Sequence, residues 1–162
     1  MNEIAEEIRD YLETACGSNF NKYYVGFVRE ELKIPRDYLP VLMVRAPGKS
    51  LVTPGLSTAR DKYNYSVEIR IIVDVMKYVD QTGLEGNDYV VQHEKALQDF
   101  IDEADADGKP LATTILGALR SNITGTAYLF SNEVEIALDD EEKDGRRGAT
   151  IKLNGITRYN SR

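Results

Sequence analysis

The residue types with the greatest chemical reactivity are scarce in this chain, which has one histidine and one cysteine among 162 residues. His93 falls within a predicted helix, and no nearby sequence marks the nucleophile that a Ser-His-Asp or Cys-His site requires. A zinc site needs several histidine or cysteine ligands. Cys16 has no second cysteine with which to form an internal disulfide, as is usual in a reducing compartment. We therefore interpret His93 as a helix-boundary residue and expect no metal centre.

The acidic run that begins at Glu103 has part of the spacing of a calcium-binding loop. Counted from Glu103, the third and fifth positions are Asp105 and Asp107, as in an EF-hand. The first position is glutamate rather than aspartate, and the twelfth is Thr114, which lacks the carboxylate that binds calcium through two oxygens. We interpret the run as a solvated helix end.

A pair of carboxylates needs no motif to act as general acid and general base, so this chemistry stays open from the sequence alone. The densest candidates precede the C-terminal hairpin turn: Asp139, Asp140, Glu141 and Glu142. Charge at exposed strand ends also blocks unwanted strand pairing, and we favour that interpretation. The chain has neither a GxxxxGK[ST] nor a GxGxxG phosphate-binding motif. We expect no catalytic residue and no cofactor; the alternative is a small α+β hydrolase or ligand-binding domain that uses a carboxylate pair.

The charge of the chain is concentrated in one segment. The chain carries 27 acidic and 20 basic residues, for a net charge of −7 at pH 7. Residues 63–110 hold 11 acidic and 4 basic side chains, so the whole acidic excess falls there. Nonspecific binding of nucleic acid depends on clustered lysine and arginine. This distribution argues against a nucleic-acid-binding module, and it is typical of a surface that repels nucleic acid passing nearby.

The clearest structural signal is a run of seven apolar side chains at the odd positions from Tyr63 to Val75. A period of two places all seven on one face of a β-strand. At ~3.3 Å per residue the strand would be ~43 Å long, whereas most strands have five or six residues. We expect this strand to bend or to project beyond its own domain.

Hydrophobic spacing and turn residues predict the remaining elements. They are an N-terminal helix ending near Gly17, strands at 22–28 and 41–46, helices from Asp88 and over 111–122, and a C-terminal hairpin whose acidic turn spans 139–148 and contains Asp144-Gly145. Residues 47–62, with two Pro-Gly pairs, are predicted to form a long loop. This order predicts a single α+β domain over residues 1–162, with helices on one face of an antiparallel sheet and solvent on the other.

In this order the elements resemble those of the tail terminator family of tailed bacteriophages, which includes the minor tail proteins that cap the tail tube. The resemblance extends from Met1 to Tyr159 as an ordered pattern. It is carried by Leu39-Pro40-Val41 leading into the strand at 41–46, the Gly/Pro loop, the alternation from Tyr65 to Val73, the acidic helix that opens at Asp88, the second helix at 111–123 and the closing strand at 148–159.

The resemblance implies a homohexameric ring that sits on the last ring of the tail tube. Such a ring ends tube polymerisation and presents a surface to the head or neck connector (stopper) protein. The resemblance further implies that DNA passes through the channel without specific binding, and that the protein belongs to the virion tail or neck after assembly in the host cytoplasm, with no membrane partner. A neck or head-completion connector protein is the runner-up in the same class.

The residues that we expect at an interface are basic side chains in and beside the long loop and in the hairpin: Arg45, Lys49, Arg60, Lys62, Arg146 and Arg147. The loop at 47–62 holds three of them against a single acid, Asp61, in a chain that is acidic overall. Complementary charge speeds encounter and fixes register between partners. We therefore expect the loop to be a docking arm for a neighbouring subunit or for the tube protein; the alternative is a flexible linker.

Overall fold

The computed structural model describes residues 2–52, 60–77, 88–121, 128–129 and 134–161. These ranges contain helices α1 (Asn2–Cys16), α2 (Asp88–Asp102) and α3 (Ile115–Ser121). They also contain strands β1 (Lys22–Val25), β2 (Val41–Val52), β3 (Arg60–Asp74), β4 (Tyr128–Leu129), β5 (Val134–Leu138) and β6 (Arg146–Ser161). None of the helices within them is long and apolar enough to cross a membrane.

The strands form one mixed sheet in the order β1-β2-β3-β6-β4, and β5 pairs with an earlier stretch of β6 than β4 does. The prediction of an α+β fold with an N-terminal helix and a long central strand is confirmed. The prediction of a wholly antiparallel sheet is wrong at β1, which runs parallel to β2. A parallel pair needs a long crossover between its strands, and residues 26–40 provide it.

The alternation along β3 places its apolar side chains beneath the helices, as predicted. Val67, Ile69, Ile71 and Val73 are fully buried. They belong to one hydrophobic cluster with residues from all three helices: Ile4, Ile8, Leu12, Leu97, Ile101, Ile115 and Leu119. We call this side of the sheet the helical face. The side chain of Tyr63 lies outside the described residues.

The other side of the sheet, which we call the outer face, has a small core of its own. Ile34 and Leu39, from the crossover between β1 and β2, pack with Val41, Met43 and Ile72. Ile72 was the one apolar residue at an even position of the predicted strand. The prediction of a wet second face is therefore wrong over this part of the sheet, because the crossover covers the apolar side chains there.

The predicted loop at 47–62 is mostly strand. β2 continues to Val52 and β3 begins at Arg60, so only residues 53–59 of that segment lie outside the described residues. The pairing of β2 with β3 shifts register between Arg45 and Gly48, which places Pro47 in a bulge. A bulge tolerates proline because its residue need not donate to the ladder. Proline and glycine therefore marked an interruption of a strand here and not its end.

The C-terminal hairpin turns at the predicted pair. Asp144 has φ 53° and Gly145 has φ 72°, the left-handed backbone that a two-residue hairpin turn requires. The flanking residues Lys143 and Arg146 exchange backbone hydrogen bonds of 2.9 and 3.0 Å. The tight turn brings the acidic residues before it close to the start of β6.

Candidate functional site

The most connected side chain on the outer face is Arg70, at the middle of β3. Its guanidinium donates from Nη2 to Glu31 Oε2 at 2.9 Å, and from Nε to the other oxygen of Glu31. It also donates to both oxygens of Asp139, at 3.1 and 2.9 Å, and to Thr150 Oγ1 at 3.1 Å. These bonds use all five N–H groups of a guanidinium. We call Arg70, Glu31, Asp139 and Thr150 the Arg70 cluster.

The contacts within this cluster favour the charged forms of Arg70 and Asp139. The hydrogen bond to Glu31 raises the pKa of Arg70 against the opposing effect of burial, and Asp139 raises it further. Burial by itself would raise the pKa of Asp139, but its hydrogen bond to Arg70 and the charge of that arginine bring the pKa below the ordinary value. Asp139 was predicted to protect an exposed strand end; instead it is ion-paired and half-buried.

Gly148 of β6 leaves room for the Arg70 cluster because it has no side chain. Gly148 N–H donates to Asp139 Oδ2 at 3.2 Å. A Cβ atom at Gly148 would lie 2.7 Å from Arg70 Nη2 and 2.9 Å from Asp139 Oδ2. Glycine is therefore needed at this position by close approach, because any side chain would displace the arginine from its carboxylates.

An open cleft of about 920 Å³ lies above the Arg70 cluster. One wall is formed by residues 29–33 and the other by residues 138–143, and Arg70, Ile72 and Gly148 form the floor. The exposed rim carries Arg29 and Lys33 on one side and Asp140 and Glu141 on the other. The charges at the floor are therefore paired with one another, and the exposed charges available to a partner lie on the rim.

A second set of ion pairs and hydrogen bonds joins the crossover to the hairpin and to β3. Arg36 Nη1 donates to Asp74 at 3.2 Å, and Arg36 Nη2 lies 3.1 Å from Asp144 of the hairpin turn. Arg146 Nη1 donates to the carbonyl of Glu31 at 2.8 Å. The crossover and the hairpin are thus joined by side chains that are more than a hundred residues apart in sequence.

Two of the predicted interface residues belong to these internal contacts. Arg146 and Arg147 are only 7% and 6% exposed. Arg147 lies on the helical face, where Nε donates to the Asp139 carbonyl at 2.7 Å and Nη2 donates to Glu94 of α2 at 3.3 Å. Both side chains are therefore buried in internal contacts of the described chain, and their place at an interface with another protein stays a prediction.

The other predicted interface residues lie elsewhere on the sheet. Arg45 is on the outer face, where it pairs with Glu68 and lies over the ring of Phe27, 4.2 Å from its centroid. Lys49 is exposed on the extension of β2. The side chains of Arg60 and Lys62 lie outside the described residues. The four predicted basic residues whose side chains the structure describes are therefore not gathered into one patch.

Two further candidates from the sequence were His93 and the acidic run that begins at Glu103. His93 is buried near the start of the hairpin turn, with Nδ1 3.6 Å from Glu142 Oε2. Asp105 Oδ1 accepts the backbone N–H groups of Asp107 and Lys109 at 2.9 and 3.0 Å. This carboxylate closes its own loop, as aspartate commonly does in turns.

The two carboxylates that the fold brings together, Glu31 and Asp139, are held on one arginine. A general acid at neutral pH requires a raised pKa, and the pKa of Asp139 is lowered. Sequence reasoning missed this site because Arg70 stood out only as a polar residue in an apolar strand, and its partners are 39 and 69 residues away. A charged residue in the middle of a long apolar strand was the one available signal.

The lowered pKa of Asp139 predicts how the stability of the protein depends on pH. The stabilisation from this ionised group is present above its unfolded pKa of about 4 and is lost as the pH falls through the lower folded value. Asp139→Asn should therefore reduce the free energy of unfolding at pH 7, and the difference from wild type should shrink by pH 3. Urea unfolding at both pH values measures this. Asp140→Asn, at the exposed neighbour, should change little at either pH. A deficit of Asp139→Asn that is equally large at pH 3 would contradict the assignment.

No family model matches this chain, and no curated protein is significantly similar to it. The function is therefore argued from its residues and their geometry.

Proposed function

We propose that this chain is a ring-forming structural protein of a tailed bacteriophage, which caps the tail tube, ends its polymerisation and joins it to the head or neck connector. The proposal starts from the sequence resemblance to the tail terminator family. Three features of the structure support it: the long strands of the sheet, the exposed acidic residues after α2 and the internally paired charges of the Arg70 cluster.

The observation that carries the proposal is the length of the three longest strands, β2, β3 and β6, which stay paired with one another past Tyr65. Among the side chains that the structure describes, Tyr65 is the most N-terminal residue of β3 in the hydrophobic cluster. Before it in sequence, residues 62–64 of β3 pair with β2, and residues 60–64 pair on the other side with residues 157–161 of β6. With 15 residues at ~3.3 Å each, β3 is ~50 Å long. A three-stranded ribbon of this length suits a subunit that reaches a neighbour.

The acidic residues of the middle segment support the same function. Glu68 and Asp74 are ion-paired on the outer face. By contrast, Glu103, Asp105 and Asp107 are exposed together after the end of α2. A ring that repeats this corner would carry negative charge where DNA has to pass without sticking.

The Arg70 cluster favours a structural part over the alternative, a hydrolase with a carboxylate pair. Both carboxylates are bound to an arginine that has no N–H group left for a substrate. In this proposal the cluster stiffens the two walls of the cleft, and the rim is free to contact another protein.

A capping assay tests the proposed function. Purified protein should scatter light as a hexamer, at six times the 18.2 kDa of the chain, when it is concentrated or mixed with tube protein. Added to polymerising tube protein, it should shorten the tubes seen by electron microscopy in proportion to its concentration. Heat-denatured protein is the control. A protein that stays monomeric and leaves tube length unchanged would contradict the proposal.

A further inference from the structure

Among the strands that the structure describes, β5 is an edge of the sheet. Within the described ranges its ladder is with β6, in a regular register without a bulge. Val134 and Ile136 are 38% and 42% exposed on the helical face. Proteins usually protect an exposed edge with a bulge, a proline or several charges. β5 has one charged residue, Glu135, so this edge is suited to pairing with another strand.

Strand β1 is the opposite edge of the same sheet. It pairs with β2 on one side, and no described strand lies on its other side. Tyr23 and Val25 are partly buried against the helical-face core. Lys22 and Tyr24 point to the outer face, where Lys22 lies 4.8 Å from the centroid of the Tyr38 ring. This edge therefore has an apolar side and a basic side.

We propose that β5 of one copy pairs with β1 of the next copy, so that the sheets join edge to edge around the ring. This inference rests on the proposed function, because that function supplies the ring. The contact between copies is defined by the two strand edges, β5 and β1. β1 is parallel to β2, and each further step through β3 and β6 to β5 is antiparallel, so β5 runs opposite to β1. A head-to-tail contact repeated by rotation therefore makes an antiparallel joint.

The two edges are complementary in one register. Pairing all four residues of β1 while keeping the faces aligned sets Val134 opposite Val25 and Ile136 opposite Tyr23 on the helical face. On the outer face, Ala137 is then opposite Lys22, and Glu135 is diagonal to the same lysine. Diagonal neighbours in a sheet are within reach of long side chains. Apolar side chains of one copy thus lie opposite apolar side chains of the next. Glu135, the one acid of β5, lies within reach of Lys22, the one base of β1.

Disulfide cross-linking tests this register directly. Lys22 and Ala137 are both exposed in the isolated chain and directly opposite each other in the joint. The double variant Lys22→Cys/Ala137→Cys, oxidised under conditions in which the wild type forms rings, should give a ladder of covalent oligomers up to the hexamer on a non-reducing gel. The native cysteine should not interfere, because Cys16 is buried and its pKa is raised to about 11 by that burial.

The single variants are the matched controls. Lys22→Cys alone and Ala137→Cys alone should stay monomeric on the gel, because a head-to-tail joint never brings two copies of the same residue together. Dimers from Ala137→Cys alone would overturn the proposal in favour of a two-fold β5–β5 contact. A double variant that stays monomeric while wild-type rings form would overturn it and leave the proposed function intact. Cross-linked oligomers that have no effect on tube length would support the β5–β1 contact and contradict the proposed capping function.

Charge exchange provides a second test. Lys22→Glu and Glu135→Lys should each lower the fraction of ring in light scattering, and the combined variant should restore it. Glu103→Lys makes the same change at an exposed site away from both edges and should leave the ring fraction unchanged. If the combined variant loses as much of the ring fraction as the two single variants lose together, the proposed pairing is contradicted.

Discussion

Ile69→Asp is expected to unfold the protein at room temperature. Ile69 is fully buried on the helical face, in the middle of the largest hydrophobic cluster. Deleting a buried isoleucine side chain down to alanine already costs about 2–5 kcal/mol, and the aspartate adds a carboxylate with no described partner at that position. The total stability of a domain is only about 5–15 kcal/mol. Urea unfolding, or thermal melting followed by circular dichroism, measures the loss.

The matched control for this prediction is Ile136 on β5, which is separated from β3 in the sheet by β6. Ile136 and Ile69 both pair with Ile151, one from each side, and all three are on the helical face. Ile136 is 42% exposed, whereas Ile69 is 0% exposed. Ile136→Asp should therefore leave the fold intact in dilute protein. If Ile69→Asp is too unstable to purify, Ile69→Val should still cost about 1 kcal/mol. Equal melting temperatures for Ile69→Asp and wild type would show that the faces of β3 are reversed.

Arg70→Met is expected to lower stability more than any other single loss of charge on the outer face. Methionine keeps much of the side-chain volume, but it leaves Glu31 and Asp139 facing each other without their shared cation. Removing one partner of a buried ion pair costs about 3–5 kcal/mol. Both carboxylates here are about one-third exposed, so water offsets part of that cost and we expect a loss of about 2 kcal/mol. For a domain of this size, that corresponds to a fall of about 4–8 °C in Tm.

Two further variants make this prediction specific to the cluster. Arg45→Met removes a half-exposed arginine that pairs with one carboxylate, Glu68, and should cost less than about 1 kcal/mol. Combining Arg70→Met with Glu31→Gln and Asp139→Asn should recover most of the lost stability, because no unpaired charge then remains. A loss for Arg70→Met no greater than that for Arg45→Met would mean that the cluster does not stabilise the fold.

The amino-acid sequence by itself determined the elements that depend on neighbouring residues. The period of two along β3 identified both the strand and its buried face, and the Asp144-Gly145 pair identified the hairpin turn. Helices α1 and α2 followed from the spacing of their apolar residues. Each of these signals is local, because side-chain direction repeats within a few residues along one element.

The tertiary structure alone decided which charges are paired. Arg146 and Arg147 were interpreted from sequence as surface charges, and Arg70 as one polar residue among several. In the fold, strand register brings Arg70 within reach of Asp139 and Glu31, and it places Arg146 against the crossover and Arg147 between the hairpin and α2. The parallel direction of β1 and the second core on the outer face arise in the same way, from the path of residues 26–40. A side chain's charge is a property of one residue, whereas its partner is set by register and crossover, which join residues far apart in the chain.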